Sequence, residues 1–271
     1  MVPTLSHILE LADRLFPFGN TEPWDNSGVQ IGDLSRNITA IAFSLDPSVN
    51  AIGFAAENKC DLLVTHHPLL LNPIKKVVIS ELKGRVIIAA VKANVDIISL
   101  HTNLDAAQGG LNDFLAQLLG LVEAQIPANA PSARFGKLLK PQAVSELAQL
   151  VCKRLVLDSV RIVGPLSKVV NSVFLVSGSG MAYLEHAILS EADAMITGDI
   201  RYHGAVEALA SRISLIDAGH FGLEKFAIKL MQDKFRDEIS KLGWNIDLYP
   251  YKEEENPFTD ICFERLGGMI N

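Results

Sequence analysis

The feature that most constrains this chain is an alternation. Short apolar, β-branched runs take turns with longer amphipathic ones. "ITAIAFSLD" reads as a strand and "PSVNAIGFAAENK" as a helix opened by Pro47 and Ser48. "CDLLVTHH" is a strand, "ELKGRVIIAAVKAN" a helix, "VDIISLHTNLD" a strand, and "GGLNDFLAQLLG" a helix ending at Gly120. A βαβα order implies a mainly parallel sheet with helices on its faces. Strands covered on both faces are near-continuous apolar runs rather than alternating ones, as these are.

Residues 122–132, "VEAQIPANAPS", lack periodicity and are read as a linker. Beyond them come a strand around "ARFGKLL", a helix in "AVSELAQLVCKRL" and a strand in "SVRIVG". The alternation then resumes with "NSVFLVSGSG", the helix "MAYLEHAILSEA", "DAMITGD", the helix "YHGAVEALAS" and "ISLIDAGH". A last long helix is expected from near Phe221, with Leu223, Ala227, Leu230 and Met231 on one face and Gly243 as its stop. "WNIDLYPY" closes the pattern as a strand. The expected class is α/β, two-lobed, with residues 1–124 and 125–271 as the lobes.

The chain has 271 residues, 49% hydrophobic and 20% charged, enough to bury a real core. A net charge of −7 with scattered cations argues against a broad duplex-binding surface. The start has no basic region followed by an unbroken apolar stretch, and no charge-free run reaches membrane-spanning length. Cys60, Cys152 and Cys262 are odd in number and far apart, which argues against a disulfide framework and a thiolate zinc site. The cytoplasm is the expected compartment.

Ligands of open α/β sheets gather at the carboxyl ends of strands, and this sequence places histidines and acids there repeatedly. In "DLLVTHHPLL" Thr65 is read as the last strand residue, and Pro68 cannot join a ladder and restricts its predecessor. His66 and His67 therefore stand where strand alternation lapses, and both rings can face one cavity. Buried, hydrogen-bonded structural histidines are the alternative. In "SLHTNLDAAQGGLND", His101 and Asp105 follow a strand, with Thr102 and Asn103 suited to a loop; turn-forming and capping roles, including Asn112 as a cap, compete. In "DAGHFGLEK", His220 and Glu224 share a helical face at i and i+4, as a metal pair or as a surface pair worth a few tenths of a kcal/mol.

His66, His67, Asp105, His220 and Glu224 exceed what a single catalytic ion commonly takes. They suit two divalent ions roughly 3.5–4 Å apart with a bridging carboxylate, Glu224 or Asp105. Nitrogen and oxygen donors without thiolate favour Zn, Mn, Fe, Co or Ni. His101 and His203 are candidate acid/base groups beside the ions, and Arg201 a candidate anion contact. For Asp199, capping the next helix competes, and for His203 simple exposure. "PWDNSGVQIGD" either lines a pocket with Trp24, Asp25, Asn26 and Gln30 or makes a turn. "SGSG", residues 177–180, can cradle an anion on backbone N–H groups but lacks the lysine and spacing of a P-loop.

These blocks, with the late "ENPF", resemble the GTP cyclohydrolase 1 type 2 homolog family, the Nif-three-like proteins, through nearly the whole chain. The resemblance implies a two-lobed α/β fold with a dinuclear metal site between the lobes, and a toroidal homohexamer. It implies that His66, His67, Asp105, His220 and Glu224 are the metal ligands and that His101 and His203 line the cleft. It also implies the short form, without a mid-chain insertion. The function expected is metal-dependent hydrolysis of a nucleotide or related small molecule. A non-catalytic, ring-forming metal scaffold is the competing reading. Nucleic acid threading the ring is disfavoured by the acidic balance.

Overall fold

Strands that read as unbroken apolar runs need cover on both faces, and the computed structural model, which describes residues 2–259 and 261, gives them that cover. In chain order the elements begin with α1 (Leu5–Leu15), β1 (Gly28–Ile31), β2 (Ala40–Ser44), α2 (Val49–Glu57), β3 (Leu62–Thr65), α3 (Leu82–Ala93) and β4 (Asp96–Ser99). Next come α4 (Thr102–Ala106), α5 (Leu111–Leu118), β5 (Val122–Gln125), β6 (Arg134–Ala143), α6 (Val144–Leu155), β7 (Arg161–Val163) and β8 (Val169–Leu175). The chain continues through α7 (Leu184–Leu189), β9 (Ala194–Thr197), α8 (Tyr202–Ala210), β10 (Ser214–Asp217), α9 (His220–Glu224), α10 (Ala227–Leu242) and β11 (Asp247–Pro250).

Two mixed sheets result. The first runs β1-β4-β3-β2-β11, all parallel except β1. The second runs β5-β6-β8-β9-β10-β7, with β8, β9 and β10 parallel and the others antiparallel to their neighbours. Strand alternation divides each sheet's side chains between two cores. Ile41, Phe43, Leu62, Val64 and Ile98 of the first sheet share one cluster with Val173, Leu175, Ile196 and Ile216 of the second. The buried faces of α1, α5, α6 and α10 fill the space between. The opposite faces, Ala42, Leu63 and Ile97 in one sheet and Phe174, Met195 and Leu215 in the other, are covered by α2 and α3 and by α7 and α8. Each large side chain so buried contributes ~1.5–3 kcal/mol.

Local signals act as read at several ends. Ser48 caps α2 by accepting from Ala51 N at 3.0 Å. Gly243, at φ 65°, ends α10 while Trp244 N donates back to Ile239 O.

Three readings are corrected. Residues 122–125, taken as the start of a linker, form the edge strand β5. All four are exposed, so no burial period marks them. Thr102 and Asn103, taken as loop, lie in the single-turn helix α4, where Asn103 is buried and donates to Phe16 O at 2.7 Å. Their polarity serves partners distant in sequence rather than solvent. The helix expected from near Phe221 starts at His220 as one turn, then steps at Lys225 and Phe226 before α10.

The last strand does not stay with its sequence neighbours, since β11 pairs in parallel with β2 in the first sheet. Cys60 and Cys152 are free thiols, and burial pushes Cys60 up to about 12; Cys262 lies outside the described residues. No helix among the described residues is long and apolar enough to cross a membrane.

Candidate metal centre

The carboxyl ends of β3 and β4 in one sheet and of β8, β9 and β10 in the other converge on one cluster of imidazoles and carboxylates. β3 ends at Thr65, and the backbone of the next two residues is still held by Ser44 and Leu45 at the end of β2. His66 N donates to Ser44 O at 3.2 Å and His67 N to Leu45 O at 2.9 Å. Freed from strand alternation, both rings turn the same way, with centroids 5.0 Å apart.

His66 is wholly buried. Its Nδ1 donates to the Leu100 carbonyl at 2.9 Å, which turns Nε2 towards the cluster. The nearest carboxylate oxygens, Glu224 Oε1 at 3.7 Å and Asp105 Oδ1 at 4.0 Å, are too far to bond it. His66 Nε2 therefore has no hydrogen-bond partner. His67 Nδ1 pairs with Asp46 Oδ1 at 2.8 Å, and its Nε2 reaches Glu224 Oε2 at 2.8 Å.

Two residues past β4, His101 precedes α4, and Asp105 sits on that helix. His101 Nδ1 pairs with Asp25 Oδ1 at 2.8 Å. Thr102 Oγ and Ser27 Oγ donate to the other oxygen of Asp25, so the "WDNS" turn braces His101. Burial raises Asp25, but its bonds to His101 and Thr102 outweigh that and hold it well below the usual carboxylate range. Asp105 Oδ1 accepts from Ser177 Oγ at 3.0 Å, and Asn112 holds Ser177 through both its amide nitrogen and its oxygen.

From the second sheet, His220 and Glu224 stand on α9, with His220 Nε2 at 2.8 Å from Glu224 Oε2. Asp199, in the left-handed region at φ 57°, brings its carboxylate to His220 Nδ1 at 2.8 Å. Gly178 lies against Glu224: a Cβ there would stand 2.1 Å from Glu224 Oε1, and its φ of +58° also favours glycine. The "SGSG" stretch thus admits the carboxylate closely, while Gly180 N is taken by Thr197 Oγ.

Four imidazoles from three strand ends are arranged alike. Each has Nδ1 against an oxygen, the Leu100 carbonyl or the carboxylates of Asp46, Asp25 and Asp199, and each keeps its other nitrogen for the cluster. Outer oxygens holding the distal nitrogen are the usual support of metal-ligating histidines. Two sets of ligand atoms lie close enough to share an ion, His66 with His67 and His101, and His67 with His220 and Glu224.

Electrostatics point the same way. Burial opposes charge on His67 and His220, but the carboxylates prevail and raise them to about 10 and about 9. Burial likewise opposes charge on Glu224, and His66, His220 and His67 hold it well below the usual range. Asp105 goes the other way, raised chiefly by burial. Without a cation, protons must fill the centre. The Nε2 atoms of His67 and His220 stand only 3.3 Å apart, which two bare lone pairs tolerate poorly. With the orphaned His66 nitrogen, these features fit a cationic occupant.

The five residues read as ligands are therefore brought together, with Asp105 at the edge of the set. His101 stands within it, its ring 5.2 Å from that of His66. His203 lies exposed on α8 with its ring against Tyr202, and Arg201 is exposed at the start of that helix. Trp24 is 61% exposed and packs edge-on to His101 at 5.9 Å. Sequence reasoning missed Asp46 and the orienting use of Asp199, and offered Asn112 only the competing role of a cap, where it holds Ser177. For Asp46 and Asp199 the available signal was their place just past strands β2 and β9.

Known proteins share this architecture. A Bacillus cereus protein related to NIF3 superposes with a TM-score of 0.90 at 20% identity, covering 96% of this chain and all of its own. Reduced HcgD from Methanocaldococcus jannaschii superposes with a TM-score of 0.77 at 25% identity, covering 92% and 98%. In sequence, "GTP cyclohydrolase 1 type 2 homolog" of Clostridium acetobutylicum is 31% identical over 93% of this chain and 96% of its own. The relative of that name in Streptomyces coelicolor is 33% identical over 95% and 94%. The family model for Duf34/NIF3 (NGG1p interacting factor 3) matches residues 3–257. With a match that runs from before α1 to beyond β11, the chain belongs to the Duf34/NIF3 family.

Proposed function

We propose that His66, His67, Asp105, His220 and Glu224 hold two divalent cations, of Zn, Mn, Fe, Co or Ni, and that the chain hydrolyses a nucleotide or related small molecule. The observation that carries this reading is the shared orientation of four imidazoles, each held at Nδ1 by an oxygen. The name "GTP cyclohydrolase 1 type 2", borne by a Helicobacter pylori relative 31% identical over 82% of this chain and 87% of its own, supports the substrate class. Bound cations of this kind supply hydroxide at neutral pH and an electrophilic clamp on the bond to be cut.

The chain's own groups do the rest. Asp25 fixes His101 at Nδ1, so its other nitrogen takes and returns a proton beside the cluster. Ser177 and Asn112 hold Asp105, and Gly178 leaves room for Glu224. His203 enters as a second proton carrier on its place in the sequence alone. A homo-oligomer, a toroidal hexamer, belongs to the same reading.

Metal analysis of the purified chain tests the core of this. The parent should carry two divalent ions per chain, and Asp105→Ala should lose metal together with GTP turnover. Stoichiometric metal without turnover on nucleotides or phosphoesters would leave a metal scaffold and refute the hydrolase.

A further inference from the structure

Three glutamates, Glu253, Glu254 and Glu255, follow β11, and only Glu254 is turned inward. Its Oε2 accepts from Leu45 N at 2.6 Å and its Oε1 from Asp46 N at 2.8 Å, more than 200 residues back in the chain. The parallel pairing of β11 with β2 carries the chain there, and Tyr251 N adds a bond to Phe43 O at 2.8 Å. Two successive backbone N–H groups on one carboxylate are charge-assisted bonds, stronger than neutral ones.

The gripped residues are the two that set His67. Leu45 offers its carbonyl to His67 N at 2.9 Å, and Asp46 its carboxylate to His67 Nδ1 at 2.8 Å. The Asp46 side chain is 61% exposed, so packing does not fix it. Its direction depends on where its backbone is held, and Glu254 grips that backbone at Asp46 N.

We infer that Glu254 is a positioning residue for the metal centre: it clamps Leu45 and Asp46 so that Asp46 fixes the His67 ring with Nε2 aimed at Glu224. Residues 251–254 are thereby part of the site's architecture, although none of them is among the proposed ligands. This rests on the metal reading of the cluster.

Zinc titration of the full chain tests it, with Glu254→Gln, Glu254→Ala, Asp46→Asn, the double variant Asp46→Asn/Glu254→Gln, and Glu255→Gln as control. Outer-shell losses weaken metal binding by about 10–100-fold. The Glu254 variants are expected near the lower end of that range and Glu255→Gln at the parent value. The double variant should bind no more weakly than Asp46→Asn alone, because both changes cut one path. Parent-like binding by the Glu254 variants, or losses that multiply in the double variant, would overturn the inference.

A parent chain that binds neither zinc nor Mn, Fe, Co or Ni would overturn the proposed function. The His67 Nδ1–H resonance of the metal-free protein would then decide this inference separately. Faster solvent exchange of that proton in Glu254→Gln, with the melting temperature held, supports the clamp; an unchanged exchange rate overturns it.

Discussion

Gly178 and Gly243 offer a matched pair of substitutions. Both have positive φ, +58° and +65°, so alanine at either meets the same left-handed backbone cost of roughly 1–2 kcal/mol. They differ in what the new Cβ touches. At Gly243 nothing lies within 4 Å; at Gly178 the Cβ would stand 2.1 Å from Glu224 Oε1, where ordinary contact begins at 3.4 Å. Glu224 is 3% exposed, and its other oxygen binds His67 and His220 at 2.8 Å each. To make room the carboxylate must leave those bonds, each worth about 1.5–3 kcal/mol as a charge-assisted pair, or the β8–α7 connection must shift. Gly178→Ala should therefore cost the metal-free protein a few kcal/mol more than Gly243→Ala, and should weaken zinc binding by at least about tenfold where Gly243→Ala leaves it unchanged. Urea unfolding with a chelator, and zinc titration calorimetry, measure the two differences. Equal zinc affinity in the two variants, with equal unfolding midpoints, would show that Glu224 does not stand where the reasoning puts it.

The cluster also fixes a pH dependence. In the metal-free protein His67 and His220 are raised to about 10 and about 9 from the ordinary 6.5, so the folded chain retains protons that the unfolded chain releases. That stabilisation is complete below pH 6.5 and fades as pH rises through about 9 to 10. Zinc needs those nitrogens bare, so its binding strengthens with pH. Melting curves across this window with chelator should show the first trend and zinc titrations the second; a chelated protein that gains stability as pH climbs would contradict it. His101→Asn should keep metal and lower turnover by about 10²–10⁴ if His101 carries a proton, whereas loss of an ion on elemental analysis would make it a ligand instead. Phe235→Ala should cost about 3–5 kcal/mol in urea unfolding while leaving metal content intact, because Phe235 is fully buried in α10 with its ring edge-on to Phe43 at 5.4 Å.

The sequence by itself determined most of the strands and helices and the places where histidines and acids leave the strands. Those features are local. An apolar run needs cover on both faces, Pro68 bars a continued ladder, and Gly243 ends a helix, whatever lies elsewhere in the chain. That locality also explains the errors, since β5 is an edge strand exposed on both faces and carries no burial pattern to read. The tertiary structure alone decided which oxygen holds each imidazole. Asp46 meets His67 across 21 residues, Asp25 meets His101 across 76, and Glu254 reaches Asp46 across 208. Such partners depend on which strands end side by side, and strand order is not written in the strands themselves. β11 lies beside β2 rather than with the sheet that precedes it, and the need for glycine at Gly178 exists only once Glu224 has been folded against it. Hydrophobic periodicity specifies what is buried, whereas the orientation of a polar side chain is set by partners that only the assembled sheets bring within reach.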